Sequence, residues 1–176
     1  MSESDAALVE RALAGDRAAF EALVAEHLPR LRAIAVSIVH QPSAADDVVQ
    51  EAFIRAWTRL GQLTDPKGFA AWVARIARNE AISALRRGHN QRTVSIAAAE
   101  TLAPAPMAEA DPRLVALRVA LATLKAEYRE ILALRYDAGL DYTAMALTLD
   151  ISTTNVEKRL YRARQALLAA MGPVSS

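Results

Sequence analysis

The sequence predicts an all-α fold of two small helical domains joined by a flexible linker. Three observations point there. The apolar residues are dominated by Ala and Leu, with only 5% aromatics in a chain that is 53% hydrophobic. Ala and Leu favour helix, and β-branched residues are too few to fill a sheet. Apolar positions recur at three and four residues through long stretches on either side of one interruption. That interruption, residues 88–112, holds Gly88, three of the seven prolines and no helical stripe, the composition of a linker. The expected division is therefore a first domain over residues 1–87, a linker over 88–111 and a second domain over 112–172. A flexible chain of that length has a typical end-to-end distance of about 25–30 Å. Two domains so tethered could grip two separated points of one target.

Four helices are expected before the linker. The first runs from about Asp5 to Ala14, with Gly15 as its stop. The second, about Asp16 to His40, carries Phe20, Leu23, Val24, Leu28, Leu31, Ile34, Ala35 and Ile38 on one stripe. Pro29 inside it should kink or divide it. The third starts with Ser43 as N-cap and Asp46 at N3. Its inward stripe is Val49, Ala52, Phe53, Ala56, Trp57 and Leu60, and Asp47, Gln50, Glu51 and Thr58 lie opposite with Ile54 among them. An aliphatic residue inside an acidic face suits a partner surface; a plainly solvated face reads the helix equally well. The Asp47/Glu51 spacing, with no histidine or further carboxylate in register, is a poor metal site.

The fourth helix, about Pro66 to Arg87, packs Phe69, Val73, Ile76, Ala77 and Ala84 inward and sets Arg75, Asn79 and Arg86 on one outward strip, with Arg78 and Arg87 nearby. Residues 67–92 hold six Lys/Arg against a single acid, Glu80, a surface suited to phosphate. Trp72 borders the apolar and basic faces, where it either packs in the core or stacks on an unpaired base. Glu80 falls on the apolar side and requires a polar partner. After the linker, helices are expected at about Pro112–Leu124, Lys125–Asp137, Asp141–Leu149 and Thr153–Met171, with Gly139 between the second and third.

The last two of these form a helix-turn-helix pattern. Val156, Leu160, Ala163, Leu167 and Met171 share one face of the final helix, and Ser152 is its cap. Ala146 is small where two crossing helices approach, and Ile151 fills the turn. Thr154, Asn155, Lys158, Arg159 and Arg162 are then presented outward, where such a helix meets the major groove. The cations suit phosphates or guanine and Asn155 suits adenine. A solvated basic stripe is the alternative.

Composition excludes much else. The net charge of +1 leaves phosphate affinity to local clusters. With no cysteine, disulfides, thiol catalysis and Cys-ligated zinc are excluded, and a reducing, cytoplasmic setting is expected. No signal-peptide pattern opens the chain and no apolar run suits a membrane span. There is no phosphate-binding glycine loop, nucleophile elbow or metal-spaced set of histidines, so neither an enzyme nor a cofactor is expected.

The sequence resembles the bacterial RNA polymerase sigma factors of the extracytoplasmic-function (ECF) type. "AADDVVQEAFIRAW" is similar to that family's polymerase-binding helix, and "GFAAWVARIARNEAISALRR" to its promoter-melting and minus-ten-reading helix. "LATLKAEYREILALRYDAGLDYTAMALTLDISTTNVEKRLYRARQAL" is similar to its minus-35-reading domain. The resemblance implies a region 2-like bundle and a region 4-like helix-turn-helix. It implies docking of Asp46, Asp47, Gln50, Glu51 and Ile54 on the β′ clamp helices of core RNA polymerase, with further contact to the β subunit. Trp72, Arg75, Arg78, Asn79, Arg86 and Arg87 would engage the minus-ten region of promoter DNA, and Thr154, Asn155, Lys158, Arg159 and Arg162 the minus-35 groove. Control by an anti-sigma factor is also implied. The chain departs from the family pattern at Lys125, where proline is common, at Asp150, where the turn often has glycine, and at Thr153, Thr154, Asn155 and Glu157, where the recognition helix usually starts more basic. The rival readings are a DNA-binding regulator that does not dock on polymerase and a decoy that titrates an anti-sigma factor.

Overall fold

A computed structural model describes residues 4–92 and 111–172. Among them every regular element is helical. The helices are α1 (Asp5–Leu13), α2 (Arg17–Val39), α3 (Pro42–Arg59), α4 (Phe69–Arg92), α5 (Pro112–Thr123), α6 (Ala126–Leu132), α7 (Tyr142–Leu149) and α8 (Thr153–Met171). Short 3₁₀ turns at Leu60–Gln62 and Pro66–Gly68 link α3 to α4, and α6 ends in a π turn, Ala133–Asp137.

The caps explain most of the boundaries. Ser4 accepts from the Ala7 amide at the start of α1. Gly15, at φ +96°, supplies the left-handed step that ends it. Asp16 caps α2 by accepting from Ala18 and Ala19, and the Arg11 guanidinium on the same carboxylate holds its pKa below the usual value. Asp141 caps α7 and Ser152 caps α8, as the sequence predicts for Ser152.

Three expectations change. Pro29 does not divide α2, which runs through it from Arg17 to Val39. The bond lost at Pro29 is offset by a buried face of Leu23, His27, Leu31 and Ile34 along the same helix. Ser43 is not the cap of α3; Gln41 holds that place, Pro42 takes N1 and Ser43 lies inside the first turn. Proline fits N1 because its fixed φ suits the helix and its missing N–H has no ladder partner there. Finally, α4 continues past Arg87 to Arg92; Gly88 within a helix costs only about 1 kcal/mol relative to Ala. The remainder of the expected linker, residues 93–110, lies outside the described residues.

The two sets of helices pack on each other. α1–α4 form a bundle around Leu23, Leu31, Ile34, Phe69 and Val73, and α6–α8 enclose Ile131, Leu134, Met145, Val156 and Leu160. These side chains belong to one continuous core, because α7 lies on α4 and α6 with its π turn lies on α2. Polar contacts tie the seam. Thr148 Oγ1 donates to its own helix at Ala144 O (2.8 Å) and lies 3.5 Å from Ala71 O of α4. Arg78 Nε meets Glu130 Oε1 at 2.7 Å, and Arg129 Nη2 lies 3.0 Å from His40 Nε2.

Candidate polymerase and nucleic-acid interfaces

Three surfaces carry the residues singled out from sequence. The first is the outer face of α3. Asp46, Asp47, Gln50 and Ile54 are exposed, Ile54 at 53%, and Glu51 is half-buried. Beside them α2 and α3 enclose an apolar groove of about 610 Å³, floored by Val49 and Phe53 and walled by Phe20, Val24 and Trp57. Trp57 was expected inward, yet it is 39% exposed and meets Phe20 edge to face at 4.9 Å. Its stripe position sits at the margin of the α2–α3 contact, and an indole is too large to be covered there.

Charge pairs steady this face. Asp46 Oδ1 accepts from Arg32 Nε of α2 at 2.7 Å, which raises the Arg32 pKa further. Glu51 accepts from Arg55 one turn on at 2.9 Å. Arg55 also reaches Glu80 Oε1 of α4 at 2.7 Å, supplying the partner that Glu80 required. Glu80 is 5% exposed and its other oxygen, Oε2, is buried without a hydrogen bond. Hydrogen bonding to Glu51, with the Glu80 charge nearby, raises the Arg55 pKa. Arg55 thus ties the α3 face to α4, a contact that sequence reasoning missed. The only signal was an acid on the apolar side of α4, with no indication of which helix would answer it.

The second surface is α4. Arg75, Asn79, Arg86 and Arg87 are exposed. Trp72 and Arg78 are not: both are half-buried. Trp72 packs against Phe69 at 6.0 Å between ring centres and borders the core. Arg78 is turned toward α6, where Glu130 holds it. The strip expected to face one way is therefore divided, with its outer cations open and its Arg78 side closed by the C-terminal helices.

The third surface is the start of α8. α7, the turn over Asp150–Ser152 and α8 form the expected helix-turn-helix. Asp150 takes the left-handed conformation, φ 57° and ψ 47°, that the turn needs and that glycine adopts more easily. Val156, Leu160 and Ala163 are buried as expected. Leu167 is only half-buried and Met171 is 36% exposed, because α8 outruns the helices that cover it. Thr154, Asn155, Lys158 and Arg162 are exposed and Arg159 is half-buried, so all five share the outward side of the helix start. Arg135 steadies the base of the motif by donating to Leu140 O at 2.9 Å and lying over the Tyr142 ring.

No described helix is long and apolar enough to cross a membrane. Among the described residues no group of three or more His, Cys, Asp or Glu is placed to hold a metal ion.

The chain thus presents, in order, an acidic and partly apolar α3 face, a basic α4 and an outward helix-turn-helix start. The pattern of Sigma-70 region 2 matches residues 23–92, and that of Sigma-70 region 4 matches residues 114–167. The RNA polymerase sigma-H factor of Pseudomonas aeruginosa is 32% identical, with 98% of this chain and 96% of that protein covered.

The chain belongs to the ECF sigma factor family.

This sigma factor is also 32% identical to the ECF RNA polymerase sigma-E factor of Escherichia coli, over 95% of each chain. It is 37% identical to a probable sigma factor, RfaY, of Xanthomonas campestris, over 87% of its own length and 40% of that longer protein. Among solved structures it is similar to CnrH in complex with the cytosolic domain of CnrY, with a TM-score of 0.73, 29% identity and coverage of 98% of this chain and 100% of that one. It is also similar to the sigma factor RpoE in complex with the anti-sigma factor NepR from Bartonella quintana, with a TM-score of 0.72, 27% identity and 89% and 98% coverage.

Proposed function

We propose that this sigma factor binds core RNA polymerase through the α3 face and directs it to promoters through α4 and α8. The observation that carries the reading is the pairing of two exposed faces of different chemistry. The α3 face combines Asp46, Asp47, Gln50, Glu51 and Ile54 with the adjoining apolar groove, which suits a protein helix bearing apolar and basic residues. The α8 start combines Thr154, Asn155, Lys158, Arg159 and Arg162, which suits the major groove of a minus-35 element. Helices α1–α4 form the polymerase-docking and minus-ten unit in this reading, and α5–α8 the minus-35 unit. The protein acts in the cytoplasm, where polymerase and promoter are found.

Trp72, Arg75, Arg78, Asn79, Arg86 and Arg87 are assigned to the minus-ten region. Arg78 is bound to Glu130 in the closed arrangement, so engaging DNA with it requires α4 to part from α6. Control by an anti-sigma factor is supported by the structurally similar RpoE, which is in complex with the anti-sigma factor NepR, and by CnrH, which is in complex with the cytosolic domain of CnrY.

Run-off transcription with purified core polymerase, this protein and a pool of genomic promoters tests the function. Discrete transcripts that depend on the protein are expected. Core binding without transcripts would favour the decoy reading, and absence of core binding would favour a stand-alone regulator.

A further inference from the structure

The seam between the two sets of helices contains a contact that only one protonation state can make. His40 ends α2 in the left-handed conformation, φ 62° and ψ 3°, with its backbone N–H on Val36 O at 3.0 Å. This fixes the direction in which the imidazole leaves the helix. Its Nε2 lies 3.0 Å from Arg129 Nη2 on α6, across 89 residues of chain. A guanidinium has donors only, so Nε2 must be the accepting, unprotonated nitrogen.

Arg129 cannot swing away freely. Its Nη1 donates to Leu124 O at 2.6 Å and Ala122 O at 3.3 Å, and its Nε is buried without a partner. The guanidinium is thereby built into the α5–α6 turn and presents its remaining donor to α2. A second proton on His40 would remove the acceptor and set two cations side by side at a half-buried position.

We infer that His40 and Arg129 form a proton-sensitive latch, closing the C-terminal helices onto the N-terminal bundle when His40 is neutral and releasing them when it is protonated.

The surroundings favour this direction. Burial first, and then the Arg129 charge, lower the His40 pKa from its ordinary 6.5. The closed form therefore binds fewer protons than the open form. Closure is fully present above pH 6.5 and weakens as pH falls from there through the depressed value. The groups facing the same groove are Arg32 on α2, Arg129 on α6, Tyr136 and Asp137 in the π turn, and Arg164 on α8. Arg129 opposes a charged His40, and Arg32 is paired with Asp46. Asp137 acts the other way: burial raises its pKa above 3.8, so acid relieves its cost in the closed form. Replacing Asp137 separates the two effects.

The test uses the full chain, whose lack of native cysteine allows site-specific labelling. Glu26→Cys on α2 and Gln165→Cys on α8, both exposed positions, carry a donor and acceptor dye, and energy transfer is followed from pH 8 to about pH 5. Circular dichroism confirms that the helices persist. In the parent chain the opening constant should rise by up to about tenfold per pH unit as pH falls from 6.5 to the depressed His40 value, and level off below it. The same scan on Glu130→Gln, which loosens the seam, brings a strongly closed parent into the measurable range. His40→Asn keeps a neutral residue tolerant of the left-handed conformation, and Arg129→Gln removes the opposing cation. His40→Asn should flatten the response, Arg129→Gln should make it shallower, and Asp137→Asn should leave it or sharpen it. A flat profile in the parent and in Glu130→Gln overturns the latch. So does an unaltered acid opening in either His40→Asn or Arg129→Gln.

Discussion

Replacing Glu130 by Gln should open the sigma factor and expose the α4 surface proposed to engage the minus-ten region. Arg78 Nε and Nη2 lie 2.7 Å and 3.5 Å from the two Glu130 oxygens, and the side chains retain only 21% and 11% exposure. Water thus screens the pair weakly, although the pair is not sealed off. Losing a charged hydrogen bond at such a site costs about 1.5–3 kcal/mol. A fully buried pair broken on one side would cost about 3–5 kcal/mol, and the residual exposure of Arg78 places this pair below that. The closure constant should therefore fall by roughly 10- to 150-fold. A single-stranded oligonucleotide carrying a minus-ten sequence reads the effect. Where closure limits access to Arg78, apparent affinity rises in proportion to the open fraction, up to that factor. Arg78→Ala should also open the seam but lose the DNA contact, so affinity should not rise. The double variant, combined with the two single ones, gives the coupling energy of the pair. Unchanged oligonucleotide affinity and unchanged energy transfer between the two halves in Glu130→Gln would refute the argument that this pair holds α4 closed.

Further expectations concern the other surfaces. Asp47→Arg, on the exposed α3 face, should reduce core polymerase binding at least tenfold while leaving helicity intact; pull-down and circular dichroism measure the two, and normal holoenzyme assembly would remove the residue from the docking face. Arg162→Ala should weaken minus-35 binding and lower the salt slope by about one phosphate contact; a titration across salt concentrations with an unchanged slope would take Arg162 off the DNA. Lys125→Pro should stabilise the fold by about 0.4–1 kcal/mol. Lys125 already has φ −58°, and Leu124 before it is extended at ψ 154°, so proline fits both positions. Thermal unfolding should show a Tm gain of a few degrees, and a lowered Tm would mean that the turn does not tolerate the ring.

The departures from the family pattern now have a physical reading. Lys125 keeps the backbone geometry that proline would impose. Asp150 occupies the left-handed turn position at φ 57°, which Asp tolerates better than most residues. The helix-turn-helix therefore forms despite both changes. What differs is the chemistry at the start of α8, where Thr153, Thr154 and Asn155 offer hydrogen-bonding groups in place of cations. Under the proposed minus-35 role this bears on which bases are read and how strongly, not on the fold.

The sequence by itself determined the helices and most of their inward faces. Helical periodicity is local, so Val156, Leu160 and Ala163 on α8, or Phe69, Val73 and Ala77 on α4, could be placed without knowing what covers them. Caps such as Ser152, and the stop at Gly15, are equally local. The outward residues of α3 and α8 followed from the same wheels. Only the tertiary structure decided how far each face is covered. Trp57 and Met171 lie on apolar stripes yet emerge at the edges, since a stripe does not state the extent of its partner. Likewise Glu80 finds Arg55, Glu130 finds Arg78, and Arg129 finds His40. The last two join residues 52 and 89 positions apart. No spacing rule selects such partners, because charge interactions depend on the distance between helices after packing and not on separation along the chain. The closing of α4 and α2 against the C-terminal helices is therefore a property of the tertiary packing, with the charge pairs it brings together, and not of the sequence pattern.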